Sequence, residues 1–318
     1  MRRCSLLLAV LAGALLESGA ARAHGQAPVA PDAVFISFAP DLILVAILLL
    51  VHLAYGQGVF PTWRRAGRKA GLAASHLGLF AAGEVALLLA LVSPLESLSG
   101  TLLSAHMVQH VLLIAVAPPL LVLGRPEVAL LWAMGGRVGR SRIFRLVLAG
   151  WRAGETPMRA AAIHSAVVLA WHVPAAFDAA IDVPWLHDLE HLTFFLSAML
   201  FFSALLKAAR TPQGAALGAL ASLITLIYSG MFAAILTFAP RPLYDRYVAT
   251  WLWGMTALED QQLAGLIMWV PTGFVYLGVG LALFARMLTL LDGSGAARRR
   301  ERRQGLPQHR EAGEPDPA

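Results

Sequence analysis

Cysteine is almost absent from the chain: the 318 residues include one, Cys4. A single thiol cannot form an internal disulfide, and it cannot supply a paired-cysteine copper site or a c-type haem attachment. Cys4 lies in a stretch with two N-terminal arginines, a short apolar core and a small-x-small sequence at Ala21–Ala23. This pattern is typical of a secretory signal peptide, residues 1–23, and the alternative is a short uncleaved anchor. Cleavage would leave a mature chain with no thiol chemistry.

Charged residues are also scarce, at 14% of the chain, whereas hydrophobic residues make up 58% and the mean hydropathy is +0.66. Apolar runs of about 20 residues recur, and each is long enough to cross a hydrocarbon core of about 30 Å. The composition therefore predicts an all-α, polytopic transmembrane helical bundle in contact with lipid. The net charge of +6 comes from arginine blocks between these runs, which indicates membrane topology rather than binding to nucleic acid.

Seven spans are predicted within a transmembrane domain that covers residues 24–292. Residues 293–318 are predicted to form a basic, disordered cytoplasmic tail, and residues 127–148 an amphipathic segment at the membrane surface. The positive-inside rule places the arginine-rich loops in the cytoplasm, so the mature N-terminus faces outside and the C-terminus inside. The predicted spans are 39–56, 71–93, 101–123, 160–178, 185–206, 215–238 and 262–289.

Two pairs of histidines have helical spacing inside these spans. His106 and His110 lie in the third span, and His187 and His191 lie in the fifth. The i,i+4 spacing places both imidazoles of a pair on one helix face. The predicted topology puts both pairs near the outer surface, together with His172 at the end of the fourth span. Two such pairs have the spacing needed to supply nitrogen ligands to one copper or zinc ion, if the two helices are adjacent.

Other residues extend this metal hypothesis and leave alternatives open. Met107 would add a thioether, which favours Cu(I), and His172 would act as a fifth ligand or would hydrogen-bond to a ligand. The pairs are also consistent with ligation of haem b between facing histidines, or with interhelical hydrogen bonds and no bound group. Hydrogen bonding to backbone carbonyls or between helices is the expected role of the three histidines near the cytoplasmic ends, His52, His76 and His164.

Carboxylates in the second and fifth spans need an explanation. Glu84 is near the middle of the second span, where a carboxylate is costly, so we expect it to be paired, protonated or functional. Its expected partner is His164 or His76. Asp188 and Glu190 flank the histidines of the fifth span, and they either orient the imidazoles or complement the dipole at the helix start.

Four blocks of the sequence form a recognisable series: SPLESLSGTLLSAHMVQHVLLIAVAPPLLVLGRP, WHVPAAFDAA, LHDLEHLTFFLSAMLFF and DQQLAGLIMW. In this order and spacing they resemble the CtaG-type assembly factors of caa-type cytochrome c oxidases. The resemblance runs from about residue 79 to about residue 286, and the basic loop 125–159 and the tail have no matching motif. The residues that fall on the family's motif positions are His106, Met107, His110, Pro118, His172, His187, His191, Asp260 and Gln261.

The resemblance implies a function as well as a fold. The family consists of multi-span proteins of the bacterial inner membrane that are needed to make active haem–copper oxidase. It therefore implies a non-enzymatic biogenesis factor whose partners are cytochrome c oxidase subunits. The expected site holds copper through the histidine pairs, with Glu84, Asp260 and Gln261 in supporting roles. A haem-binding membrane redox protein and a copper transporter are the alternatives, and no hydrolytic or phosphate-binding motif is present.

Overall fold

The computed structural model describes residues 28–38, 40–67, 72–127, 129 and 149–304, with side chains of the last helix described as far as residue 293. The predicted signal peptide, nearly all of the surface segment 127–148 and the end of the tail lie outside the described residues. The regular secondary structure of the described ranges is helical and includes no β-strand. The prediction of an all-α bundle with membrane-spanning helices is confirmed.

The long helices account for most of the described chain. In chain order the α-helices are α1 (Leu42–Ala66), α2 (Ala74–Leu91), α3 (Pro94–Ser99), α4 (Leu103–Val111), α5 (Ala117–Leu123), α6 (Pro157–His172), α7 (Pro174–Asp182), α8 (Pro184–Ala208), α9 (Pro212–Phe238) and α10 (Ala257–Gln304). A π-helical turn, Leu112–Val116, joins α4 to α5, so these elements form one span. A 3-10 turn, Thr250–Trp253, lies between α9 and α10.

Six spans of the described residues, with α4–α5 counted as one, are long and apolar enough to cross a membrane, and a bent pair makes a seventh if its two helices are taken as one span. The bent pair is α6 with α7, whose axes differ by 71°. The sequence predicts Pro174, within the fourth span 160–178, to be a kink or a helix end, and the structure shows that a helix ends directly before it. Helix α6 ends at His172 because Val173 precedes Pro174 and takes an extended conformation, with ψ at 128°. The break leaves His172 at the end of a helix.

Small residues bring the helices close together. At Gly265 of α10, an added Cβ would lie 2.3 Å from the hydroxyl of Thr237 on α9. At Gly83 of α2, an added Cβ would lie 2.6 Å from the Leu121 side chain of α5. Close backbone approach of this kind replaces the hydrophobic effect as a packing force between helices in lipid. Among these spans α4–α5 is the most enclosed: 67% of its most apolar stretch is buried inside the bundle, whereas 17% of the corresponding stretch of α1 is buried.

Several buried polar side chains, including histidines, lie together at one end of the bundle, and we call it the histidine end. Helices α4, α8 and α10 begin there, and α6 ends there at His172. The connection between α9 and α10, residues 239–256, lies over this end and buries the rings of Tyr244 and Tyr247. The fold thus places a group of buried polar side chains beneath a loop, at the starts of three spans.

Candidate metal centre

Five histidines from three helices lie together at the histidine end, and we call them the histidine cluster. They are His106 and His110 of α4, His172 of α6, and His187 and His191 of α8. Each is buried, with at most 7% of its surface exposed. The ring centroids are 5.2 Å apart for His106 and His187, and 5.5 Å apart for His110 and both His191 and His172. Spacing along the chain could not establish that the two pairs meet, and the structure brings them together.

The closest nitrogens of the cluster belong to the pair on α4. The Nε2 atoms of His106 and His110 are 2.8 Å apart. The Nδ1 atom of His106 lies 2.8 Å from the Tyr247 hydroxyl. Burial, with the charges of nearby carboxylates, raises the pKa of the Tyr247 phenol well above its usual range, so the hydroxyl stays protonated. If this hydroxyl accepts a hydrogen bond from Nδ1, it fixes the tautomer in which His106 Nε2 carries a lone pair towards His110.

Glu190 adds a carboxylate to the histidine cluster. Its side chain is fully buried, and Oε1 lies 3.7 Å from His110 Nε2. Among the described residues, neither carboxylate oxygen has a hydrogen-bond partner. The structure places Glu190 beside the imidazoles, but without the hydrogen bond by which it was expected to orient one of them, and a role as a metal ligand was not predicted from the sequence. The position of Glu190 beside the histidines could have been inferred from the spacing, because Glu190 follows His187 by three residues and so lies on the same face of α8.

Two overlapping sets of ligand atoms follow from this arrangement. One set is His106, His110 and His191, and the other is His106, His187 and Glu190. Within each set, the ligand atoms lie within 4.8 Å of one another. Ligands bound to one ion at about 2.0 Å are at most about 4 Å apart, so small side-chain rotations would bring either set into range. Imidazole nitrogens with one carboxylate suit copper or zinc.

His172 and Met107 lie at the edge of this arrangement. Nδ1 of His172 donates to the Val168 carbonyl over 2.7 Å, so its Nε2 carries a lone pair. No described residue hydrogen-bonds to that Nε2 atom. Met107 is fully buried and belongs to an apolar cluster that includes Leu103 and Phe177. Ligation by His172 or by Met107 stays a prediction.

Asp260 of α10 caps the helix that carries the first histidine pair. Its carboxylate accepts hydrogen bonds from the backbone N–H of Leu103 over 2.7 Å, and from the N–H and hydroxyl of Ser104 over 3.1 and 2.5 Å. The first N–H groups of a helix have no partner within the helix, and a carboxylate there also complements the helix dipole. Asp260 therefore fixes the start of α4 against α10, and its predicted supporting role would be exerted through this cap.

Replacing Asp260 with alanine is expected to lower the free energy of unfolding by about 3 kcal/mol, because it leaves buried donors at the start of α4 without an acceptor. Thermal unfolding of the purified protein in detergent measures this loss. The matched control is Asp182→Asn, which breaks an exposed ion pair with Arg246 and should change stability by less than about 1 kcal/mol. Equal stability of the two variants would contradict the capping role.

Gln261 and Tyr244 hold the loop over the histidine cluster. The Gln261 side chain accepts from the backbone N–H of Leu243 over 2.6 Å and donates to the carbonyl of Leu236 over 3.3 Å. The Tyr244 hydroxyl donates to the carbonyl of His172 over 2.9 Å. These bonds attach residues 239–249 to α6, α9 and α10, and so position Tyr247 on His106. Neither tyrosine was singled out from the sequence, because no spacing rule relates a loop tyrosine to a distant histidine.

The remaining described histidines have partners outside the cluster. His164 bonds to the hydroxyls of Ser197 and Tyr276, each over 3.0 Å, as expected for a buried structural histidine. Glu84 is paired, as predicted, but with a different residue from the two we expected: His52 Nδ1 lies 2.5 Å from its Oε2. Glu84 is therefore part of a separate polar pair.

These features define the class of the protein: a multi-pass helical membrane protein with a buried set of imidazoles and one carboxylate at one end of its bundle. A family profile described as cytochrome c oxidase caa3 assembly factor (Caa3_CtaG) matches residues 53–289, well over half of the chain. The chain belongs to this family, and the resemblance seen in its motifs is confirmed. The matched region contains the whole histidine cluster with Glu190 and Tyr247. No curated protein and no solved structure matches the chain.

Proposed function

We propose that the protein binds a copper ion in the histidine cluster and delivers it to a cytochrome c oxidase subunit during oxidase assembly. The observation that carries the proposal is the convergence of five buried histidines and Glu190 in a chain of an oxidase assembly family. The role is non-enzymatic, since copper is a cargo here. We place the protein in the bacterial inner membrane with the histidine end outside. The arginine-rich loops lie at the other end of the spans, and such loops face the cytoplasm.

The spacing of the rings favours an ion over haem. His106 and His110 are on the same helix with ring centroids 4.4 Å apart, and His187 and His191 are 4.0 Å apart. Two histidines that ligate a haem lie on opposite sides of a flat macrocycle, and rings packed against each other leave no room for one. A transport path is also less favoured, because His164, the buried histidine further along the bundle, is engaged at both ring nitrogens.

Delivery requires binding that is tight yet exchangeable, and the two ligand sets support this. Both sets contain His106, so this residue can serve an ion in either set. With an ion bound, Glu190 would add a negative charge to its set, whereas the all-histidine set would stay neutral. The loop 239–256 separates the site from the outside, so the ion leaves when this loop is displaced from His106 and His172.

Replacing His110 with alanine tests this function in cells. The variant is expected to accumulate in the membrane at wild-type level while the oxidase loses copper and activity, because one ligand set loses a nitrogen. The copper content and activity of the purified oxidase are the readouts. A matched control is His76→Gln, since His76 lies outside the histidine cluster and accepts a hydrogen bond from the Ala73 N–H at the start of α2. Normal oxidase copper in the His110→Ala strain would contradict the proposal.

A further inference from the structure

The segment that precedes α1 connects two parts of the histidine end, and we call its residues 28–30 the strap. The backbone N–H of Val29 donates to the Thr101 hydroxyl over 2.9 Å. The carbonyl of Val29 accepts a hydrogen bond from the Trp253 indole N–H, also over 2.9 Å. Val29 and Thr101 are both buried, so water does not compete for the first of these bonds. One residue thus uses both of its backbone polar groups to connect two distant parts of the chain.

Both of the parts that the strap connects are in contact with the histidine cluster. Thr101 lies just before α4, the helix that carries His106. Trp253 belongs to the loop that covers the cluster, and in the same loop the Tyr247 hydroxyl lies 2.8 Å from His106 Nδ1. The turn that carries Trp253 is closed by the N–H of Gly254, which donates to two carbonyls of that turn. Displacement of the whole loop from His106 therefore also breaks a hydrogen bond of the strap.

We propose that the strap holds the loop 239–256 closed over the histidine cluster, and that copper enters and leaves the site when the strap is released. Thr101 and Trp253 then act as positioning residues of the loop, since neither supplies an atom to the two ligand sets. Their bonds involve no ligand, so they stabilise the closed loop in the metal-free and the copper-bound protein alike. Loss of the strap therefore speeds entry and exit by the same factor and leaves the copper affinity unchanged.

This inference rests on the proposed function for its copper part, whereas closure of the loop can be measured on the metal-free protein. A wild-type protein that takes up no copper would overturn the proposed function. Exchange of the loop amides would then still decide whether the strap closes the loop. The two proposals therefore fail in different experiments.

Hydrogen–deuterium exchange of the purified, metal-free full chain in detergent measures the opening of the loop. Trp253→Phe removes the indole N–H and keeps an aromatic ring, and Thr101→Val removes the hydroxyl and keeps the branched shape. Each variant is expected to speed the exchange of amides in residues 239–256 about three- to tenfold, the factor for one lost hydrogen bond. The matched control is Trp63→Phe, which removes an indole bond to the Leu72 carbonyl near the end of α1 and should leave the exchange of the loop unchanged.

The rate of copper release is measured on the same proteins, loaded with copper and mixed with an excess of chelator. Trp253→Phe and Thr101→Val should release copper about three- to tenfold faster than the wild type, with an unchanged affinity in chelator competition. Trp63→Phe should release it at the wild-type rate. Unchanged exchange of the loop in both strap variants would overturn the proposal. Faster exchange of the loop with an unchanged rate of copper release would overturn it too, and so would a loss of affinity as large as the change in rate.

Discussion

Replacing Glu190 with glutamine is expected to weaken copper binding roughly 100-fold, about 3 kcal/mol, and to raise the stability of the metal-free protein. The reason is that Glu190 is a fully buried carboxylate without a hydrogen-bond partner among the described residues. Burial without such partners disfavours the charged form of the carboxylate in the metal-free protein, and a bound cation would compensate that cost. Glutamine keeps the size of the side chain and removes the charge.

Glu190→Gln is expected to lower the copper affinity and to raise the stability of the metal-free protein, and this combination makes the prediction specific. Copper affinity is measured by competition with a chelator, and metal-free stability by thermal unfolding in detergent. A residue with only a structural role would lower stability on replacement and leave the affinity unchanged. The control is Glu155→Gln, which removes the partner of Lys207 at 2.5 Å, outside the cluster, and should leave copper affinity unchanged. Unchanged affinity in Glu190→Gln would contradict a role for this carboxylate in metal binding.

The sequence predicted the spans well because apolar length is a strong signal, but it did not decide whether Pro174 would kink the fourth span or end its helix. Residues 160–178 read as one apolar run, yet Pro174 prevents the helix from continuing past His172. Proline inside a span is often only a kink, and Pro271 lies within the continuous helix α10. Whether a proline in a span ends the helix or lies within it therefore depends on the residues that surround it in the folded protein, and a sequence pattern does not show those residues.

The histidines of the site were found from spacing, whereas their supporting residues depended on tertiary contacts. The i,i+4 spacing is a local pattern that can be seen in the sequence, and it identified His106, His110, His187 and His191. Asp260 lies 156 residues from Ser104, and Tyr247 lies 141 residues from His106. No periodicity connects such distant positions. Asp260 and Gln261 were included because of the family motif, and the structure gives their physical roles as a helix cap and a loop anchor.

The double variant His106→Ala/His110→Ala is expected to lose copper completely. His106 belongs to both ligand sets and His110 to one of them, so the change removes nitrogens from each. The stability of the helix should survive, since alanine is the best helix former and α4 keeps its cap at Asp260. The wild type and the double variant are each purified and loaded with copper, and the excess is removed by gel filtration. His76→Gln, treated in the same way, serves as the control.

The metal content of these purified proteins tests the central claim most directly. The histidine cluster predicts one copper ion per chain in the wild type and in His76→Gln, and none in the double variant, with all three proteins folded. Equal copper in the wild type and the double variant would contradict the assignment of the site. So would a wild-type protein that takes up no copper but shows a haem absorption band after haem-replete expression.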